Sequence, residues 1–147
     1  MESGSSRQTQ IKICGVTKPK QALLCVEMGA DLIGLNCWNG SSRYIIPEII
    51  SEIVLELPES AKTVGIFVNE SPDSINGIMK QTGMDWVEFH GDEPLETCDK
   101  LEFPWFKAFR VSAKFKMSLI KKYKQETFLI DAYSKYHFGK KKKKIDI

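Results

Sequence analysis

Six short β-rich runs, each but the last followed by a stretch of helical spacing, alternate between Ile11 and Asp131. This alternation constrains the fold more than any other feature. A strand–helix–strand progression implies a parallel sheet with helical crossovers. The pattern predicts strands over residues 11–14, 31–37, 62–68, 84–90, 104–109 and 127–131. Helices are predicted over 19–28, 47–57, 73–81, 94–101 and 111–123. Pro19 and Pro47 suit helix starts, and Gly29 suits the position just past a helix end. Thr17 and Asn69 read as helix caps. The sheet is either open and doubly wound or part of a (β/α)₈ barrel.

Two observations favour the barrel. Neither G-x-G-x-x-G nor G-x-x-x-x-G-K-[ST] follows the first strand. The polar candidates also fall at the ends of successive strands: Cys14, Asn36 or Cys37, Asn69, His90, Arg110 and Asp131. An open sheet concentrates such residues at one switch point, whereas a barrel draws them from every strand to one mouth. A closed barrel has eight strands and ordinarily about 200 residues or more. This chain has 147 residues and six strand runs. The expected fold class is therefore α/β of the (β/α)₈ TIM-barrel type, incomplete, with about six βα strands present and the last two missing.

Composition narrows the function classes. Five of the 21 basic residues form the run Lys140 to Lys144, and without them the formal charge goes from +2 to −3. A mildly acidic body does not suggest nucleic-acid binding. The apolar runs are too short to cross a bilayer, and the first nine residues lack a secretory apolar segment. Cys14, Cys25, Cys37 and Cys98 show no metal-ligand spacing, which fits a reducing cytoplasm better than zinc or a disulfide framework. The expected organisation is a flexible leader (1–9), one partial barrel domain (10–139) and a disordered basic tail (140–147).

Several segments carry a resemblance. Lys12-Ile13-Cys14-Gly15-Val16-Thr17, Gly29-Ala30-Asp31-Leu32-Ile33-Gly34, Ser42-Arg43-Tyr44-Ile45, Val64-Gly65-Ile66-Phe67-Val68-Asn69 and Phe89-His90-Gly91-Asp92-Glu93 occur in that order. Together they resemble the phosphoribosylanthranilate isomerases of tryptophan biosynthesis, over residues 10 to 139. The resemblance implies an Amadori rearrangement of N-(5-phosphoribosyl)anthranilate to 1-(2-carboxyphenylamino)-1-deoxyribulose 5-phosphate, with neither metal nor organic cofactor. It matches Cys14 to the general base, Asp131 to the general acid and Arg43 to the group that reaches the anthranilate carboxylate, with His90 lining the mouth. The bland alternatives are a buried small hydrophobe at Cys14, a solvated arginine at Arg43 and a packing or capping histidine at His90.

After Asp131 the family continues with a Gly-Lys-containing stretch and two further strands, whose loops bind the substrate phosphate. Here Gly139 runs into the lysines. These read as a solvated tail, as a patch for an anionic partner, or as a slip in an A-rich coding tract. The implied partners are a phosphorylated aminosugar substrate, with no nucleic acid and no membrane, and a homo-oligomer or complementing chain. Beside the isomerase stand two other readings: an inactive truncated remnant, and a fragment that needs a partner chain to complete the barrel.

Overall fold

The computed structural model describes residues 9–132. The leader to residue 8, the end of the expected barrel domain and the lysine run lie outside the described residues. Strands β1 (Lys12–Cys14), β2 (Leu32–Asn36), β3 (Lys62–Phe67), β4 (Trp86–Phe89), β5 (Trp105–Val111) and β6 (Phe128–Ala132) alternate with five helices. These are α1 (Pro19–Glu27), α2 (Pro47–Glu56), α3 (Pro72–Thr82), α4 (Leu95–Cys98) and α5 (Met117–Tyr123). The strands form one six-stranded sheet in sequence order β1-β2-β3-β4-β5-β6, and every neighbouring pair is parallel. This is the curled βα succession of TIM-barrel type that the alternation predicts. Among the described residues β1 and β6 are its edges.

Side chains alternate across each strand, so every strand has a helix-facing set and an inward set. Ile33 and Leu35 on β2, Phe67 on β3, and Val87 and Phe89 on β4 meet Ile50 and Ile53 of α2 and Ile75 and Met79 of α3. All nine are at most 1% exposed, so they form the dry core. Each such burial contributes roughly 1.5–3 kcal/mol. Residues of the opposite parity, from Lys12 and Cys14 through Gly34, Ile66, Glu88 and His90 to Asp131, belong to the inward face.

The connections follow local chemistry. Pro19, Pro47 and Pro72 each open a helix, where a missing N–H costs nothing. After α1 and α3 the chain turns through Gly29 (φ +100°) and Gly83 (φ +73°). Each glycine is followed, two residues on, by an aspartate that fastens the next strand to the one before it. Asp31 Oδ2 accepts from Ile11 N at 2.8 Å, and Asp85 Oδ2 accepts from Thr63 N at 2.8 Å and Thr63 Oγ1 at 2.9 Å.

Several local expectations are corrected. Lys18 is the N-cap of α1 and makes no side-chain cap. Gln21 instead turns its Oε1 back to accept from Thr17 N and Oγ1. Asn69 does not cap α3; Ser71 does, accepting from Ser74 N. Val111 belongs to β5, whose strand is extended by its β-branched side chain, and α5 starts only at Met117. The short helix expected over 94–101 contracts to α4, with Pro94 as its N-cap.

Candidate active site

Of the polar side chains expected at a barrel mouth, His90 and Asp131 meet at the C-terminal ends of their strands, and Cys14 lies beside them. A chain of contacts that includes these two runs from one edge of the sheet to the other. Lys12 of β1 forms an ion pair with Glu88 Oε2 of β4. Glu88 Oε1 accepts from His90 Nδ1 at 2.6 Å, and His90 Nε2 lies 3.1 Å from Asp131 Oδ2 on β6. Asp131 Oδ1 accepts from Ala132 N at 2.9 Å. Glu88 is 1% exposed, yet both of its oxygens are engaged. Lys12 also stands over the ring of Phe106, 5.5 Å from its centroid, a favourable position for a cation.

Electrostatics follow from this packing. Burial opposes charge on Glu88, but the hydrogen bond from His90 and the Lys12 ammonium prevail and lower its pKa. Burial likewise opposes charge on His90. The hydrogen bonds and charges of Glu88 and Asp131 outweigh it and raise the imidazole above its ordinary value.

Cys14 ends β1 beside this network. Its register partner is Gly34, and a Cβ there would come within 2.6 Å of Cys14 Sγ. The missing side chain thus makes room for the thiol. Arg43 lies across Gly15 (φ +80°), where a Cβ would meet Arg43 Cδ at 2.5 Å. The guanidinium is thereby held close enough to act on Cys14. The residue is exposed at the sheet edge, yet desolvation by the surrounding protein raises the thiol pKa. Lys12 and Arg43 oppose this shift, and Glu88 reinforces it. The positive charge that a thiolate needs is present, but it does not outweigh burial.

The His90-Gly91-Asp92-Glu93 turn is built from within. Glu93, 3% exposed, accepts from Asn69 N at 2.7 Å, Gly91 N at 3.1 Å and Lys107 Nζ at 2.8 Å. Lys107 Nζ also donates to Gly91 O at 2.6 Å, and Tyr123 Oη donates to Glu93 O at 2.7 Å. Asn69, at φ +52°, accepts from Asp92 N through Oδ1 at 2.8 Å, so it braces this turn. Arg110 is ion-paired with Asp92.

Other sequence candidates do not join the network. Asn36 Oδ1 accepts from Trp38 N at 3.0 Å and shapes a turn. Burial pushes the Cys37 and Cys98 thiols up to about 12. Two surface hollows of about 400 Å³ share no residue with the site. Among the described residues no cluster of three or more His, Cys, Asp or Glu could hold a metal ion. No described helix is long and apolar enough to cross a membrane. Sequence reading missed Lys12 and Glu88. Each lies two residues before a recognised candidate, Cys14 or His90, and so shares its face of the strand.

Parallel βα units with their polar residues collected at the strand C-terminal ends define a protein of the TIM-barrel class. Within that class, the family model of N-(5'phosphoribosyl)anthranilate (PRA) isomerase matches residues 11–146, and the chain belongs to this family. It is 39% identical over 130 residues to the N-(5'-phosphoribosyl)anthranilate isomerase of Trichlorobacter lovleyi, covering 88% of this chain and 63% of that protein. The Geobacter sulfurreducens counterpart is 40% identical, with 88% and 64% covered. The chain thus spans a little under two thirds of the length of these curated relatives. A solved phosphoribosyl anthranilate isomerase from Thermotoga maritima superimposes with a TM-score of 0.84 at 35% identity, covering 91% of this chain and 66% of that one. A further isomerase structure, in complex with reduced 1-(o-carboxyphenylamino)-1-deoxyribulose 5-phosphate, gives 0.81 at 37% identity, with 86% and 66% covered.

Proposed function

We propose that this chain carries the catalytic pair of a phosphoribosylanthranilate isomerase. The single observation that supports the reading is the hydrogen-bonded series Lys12–Glu88–His90–Asp131, which runs from β1 to β6 with Cys14 two residues beyond Lys12 on the same face of β1. Asp131 is the general acid, Cys14 the general base, Arg43 the clamp for the anthranilate carboxylate, and His90 a lining residue that holds Asp131. Protonation of the furanose ring oxygen breaks its bond to C1 as the anthranilate nitrogen lone pair forms the iminium. Cys14 then removes the C2 proton, and the electron pair moves into an enolamine. The Cys14 thiol gives that proton to C1, the enol proton returns to the acid, and the ketone results with both groups restored. The iminium is itself the electron sink, so these steps route through side chains alone. A planar guanidinium suits the carboxylate by bidentate hydrogen bonding.

The substrate is accordingly a phosphorylated aminosugar, and the reaction takes place in the cytoplasm. The working domain is residues 10–139, flanked by a leader (1–9) and a basic tail (140–147). The test is turnover by the purified 147-residue chain. Phosphoribosylanthranilate is generated in place and its consumption followed by fluorescence, with Cys14→Ala as control. Loss of about two to four orders of magnitude in rate is expected for the variant. Activity unaltered by Cys14→Ala would overturn the base assignment.

A second reading is favoured by the sheet edges. Ile13 on β1 and Phe128 and Ile130 on β6 are 38%, 41% and 53% exposed. Strand edges with apolar flanks pair readily, so a second chain, or another copy of this one, completes the barrel. Specific activity that rises with protein concentration supports this reading, and activity independent of concentration counts against it.

A further inference from the structure

The contact between His90 Nε2 and Asp131 Oδ2 holds one proton between two groups, since a carboxylate without a proton only accepts. Which side keeps it is decided at the other end of the imidazole. We propose that Glu88 is a positioning residue: through Nδ1 it fixes His90 as an imidazolium, so that His90 stores the proton which Asp131 hands to substrate. The inference rests on the isomerase reading for the role of Asp131, while the link from Glu88 to His90 stands on geometry alone.

Charge balance carries the argument. Glu88 is wholly buried and is flanked by Lys12 from β1 and His90 from its own strand. Asp131 faces His90 from β6, while Arg110 of β5, its register partner, is ion-paired with Asp92 of the following turn. With a neutral imidazole the group Lys12, Glu88, His90 and Asp131 carries one net negative charge. With an imidazolium it carries none, and both ring nitrogens donate to carboxylate oxygens. Buried charges persist where they are paired and hydrogen-bonded. Each oxygen of Asp131 is engaged, Oδ1 by Ala132 N and Oδ2 by His90.

The proton movements close. His90 Nε2 gives its proton to Asp131 Oδ2, and Asp131 then passes that same proton to the ring oxygen and is a carboxylate again. His90 is left neutral with Nδ1–H still on Glu88. The enol proton released in the last step returns through Asp131 to Nε2.

The chain has two histidines, His90 and His137, so the imidazole ¹⁵N signals of the full chain can be followed by NMR as pH is varied. The assignment is made with His137→Gln. In the parent protein His90 should titrate above the ordinary imidazole range, with both nitrogens protonated at neutral pH. Glu88→Gln should move that titration down and leave a single protonated nitrogen at neutral pH. Glu88→Asp, which keeps the charge, should retain most of the elevation. A fold defect would return both variants to the ordinary value, so their difference isolates the charge. A parent His90 that titrates in the ordinary range, or equal behaviour of the two variants, overturns the proposal. In the turnover assay Glu88→Gln should lower kcat by about tenfold or more with little change in KM. It should also shift the basic limb of the pH profile to lower pH. A chain that turns nothing over refutes the isomerase reading, while the titration still decides the coupling.

Discussion

Replacing Lys107 by methionine tests how the site is held up. Lys107 is 4% exposed, and its ammonium donates to Glu93 Oε2 at 2.8 Å and Gly91 O at 2.6 Å. Methionine fills a similar volume but leaves the Glu93 carboxylate buried and without its cation. Breaking a buried pair in this way costs about 3–5 kcal/mol. For a chain of this size that corresponds to a fall in Tm of roughly 8–16 °C. The partial replacement Glu93→Gln keeps an oxygen for the Asn69 and Gly91 amides while it removes the charge. The double variant Lys107→Met/Glu93→Gln should therefore recover about 1 kcal/mol or more of the loss, because no uncompensated ion remains. Urea denaturation of the parent, both singles and the double provides the comparison. A single variant that loses less than about 1 kcal/mol, or a double that is worse than Lys107→Met alone, refutes the reasoning.

Three further outcomes follow from the geometry. Gly34→Ala places a methyl 2.6 Å from Cys14 Sγ and 3.2 Å from Ile66 Cδ1; it should cost about 1–3 kcal/mol and shift the turnover rate through Cys14, read by denaturation and kinetics. The stabilisation from a raised His90 pKa is complete below the ordinary imidazole range and is lost as pH rises through the folded value, whereas that from a lowered Glu88 pKa is present above the ordinary carboxylate range and is lost on acidification. Stability should thus sag at both ends, and Glu88→Gln should flatten both limbs of the pH series. Finally, because desolvation raises the Cys14 thiol despite Lys12 and Arg43, alkylation of this exposed cysteine should be slow at neutral pH, accelerate above the ordinary thiol range, and slow further in Lys12→Met.

Much of this architecture could be read without coordinates. The β-rich runs and their order were legible because a parallel strand covered on its outer face reads as a short apolar run whatever follows it. Cys14, His90 and Asp131 were legible as strand-end residues, and the structure sets them around one site. Lys12 and Glu88 were not. A charged residue alternating with apolar ones is the mark of a solvent face, but in a curled sheet the inner face is enclosed, and the same alternation there buries the charge. Asn69 misled for a different reason. An asparagine two residues before Ser71 and three before Pro72 looks like a cap, and only its φ of +52° and its bond to Asp92 N reveal a brace for a neighbouring turn. Val111 misled because a β-branched residue can end a strand or begin a helical stripe, and Ser112 resolves that choice only through the turn it makes with Phe115.

The Gly-x-Asp turns ahead of β2 and β4 divide the sheet into cassettes of two strands. Asp31 binds β2 to the start of β1, and Asp85 binds β4 to the start of β3, whereas Thr127 occupies the corresponding position before β6. The first two cassettes are latched at the end remote from Cys14 and His90. Their opposite ends are therefore free to diversify: a loop such as that bearing Arg43 can be recast without loosening the latch beneath it. Stability and chemistry are written at opposite poles of the same strand, and selection can revise one text while leaving the other intact.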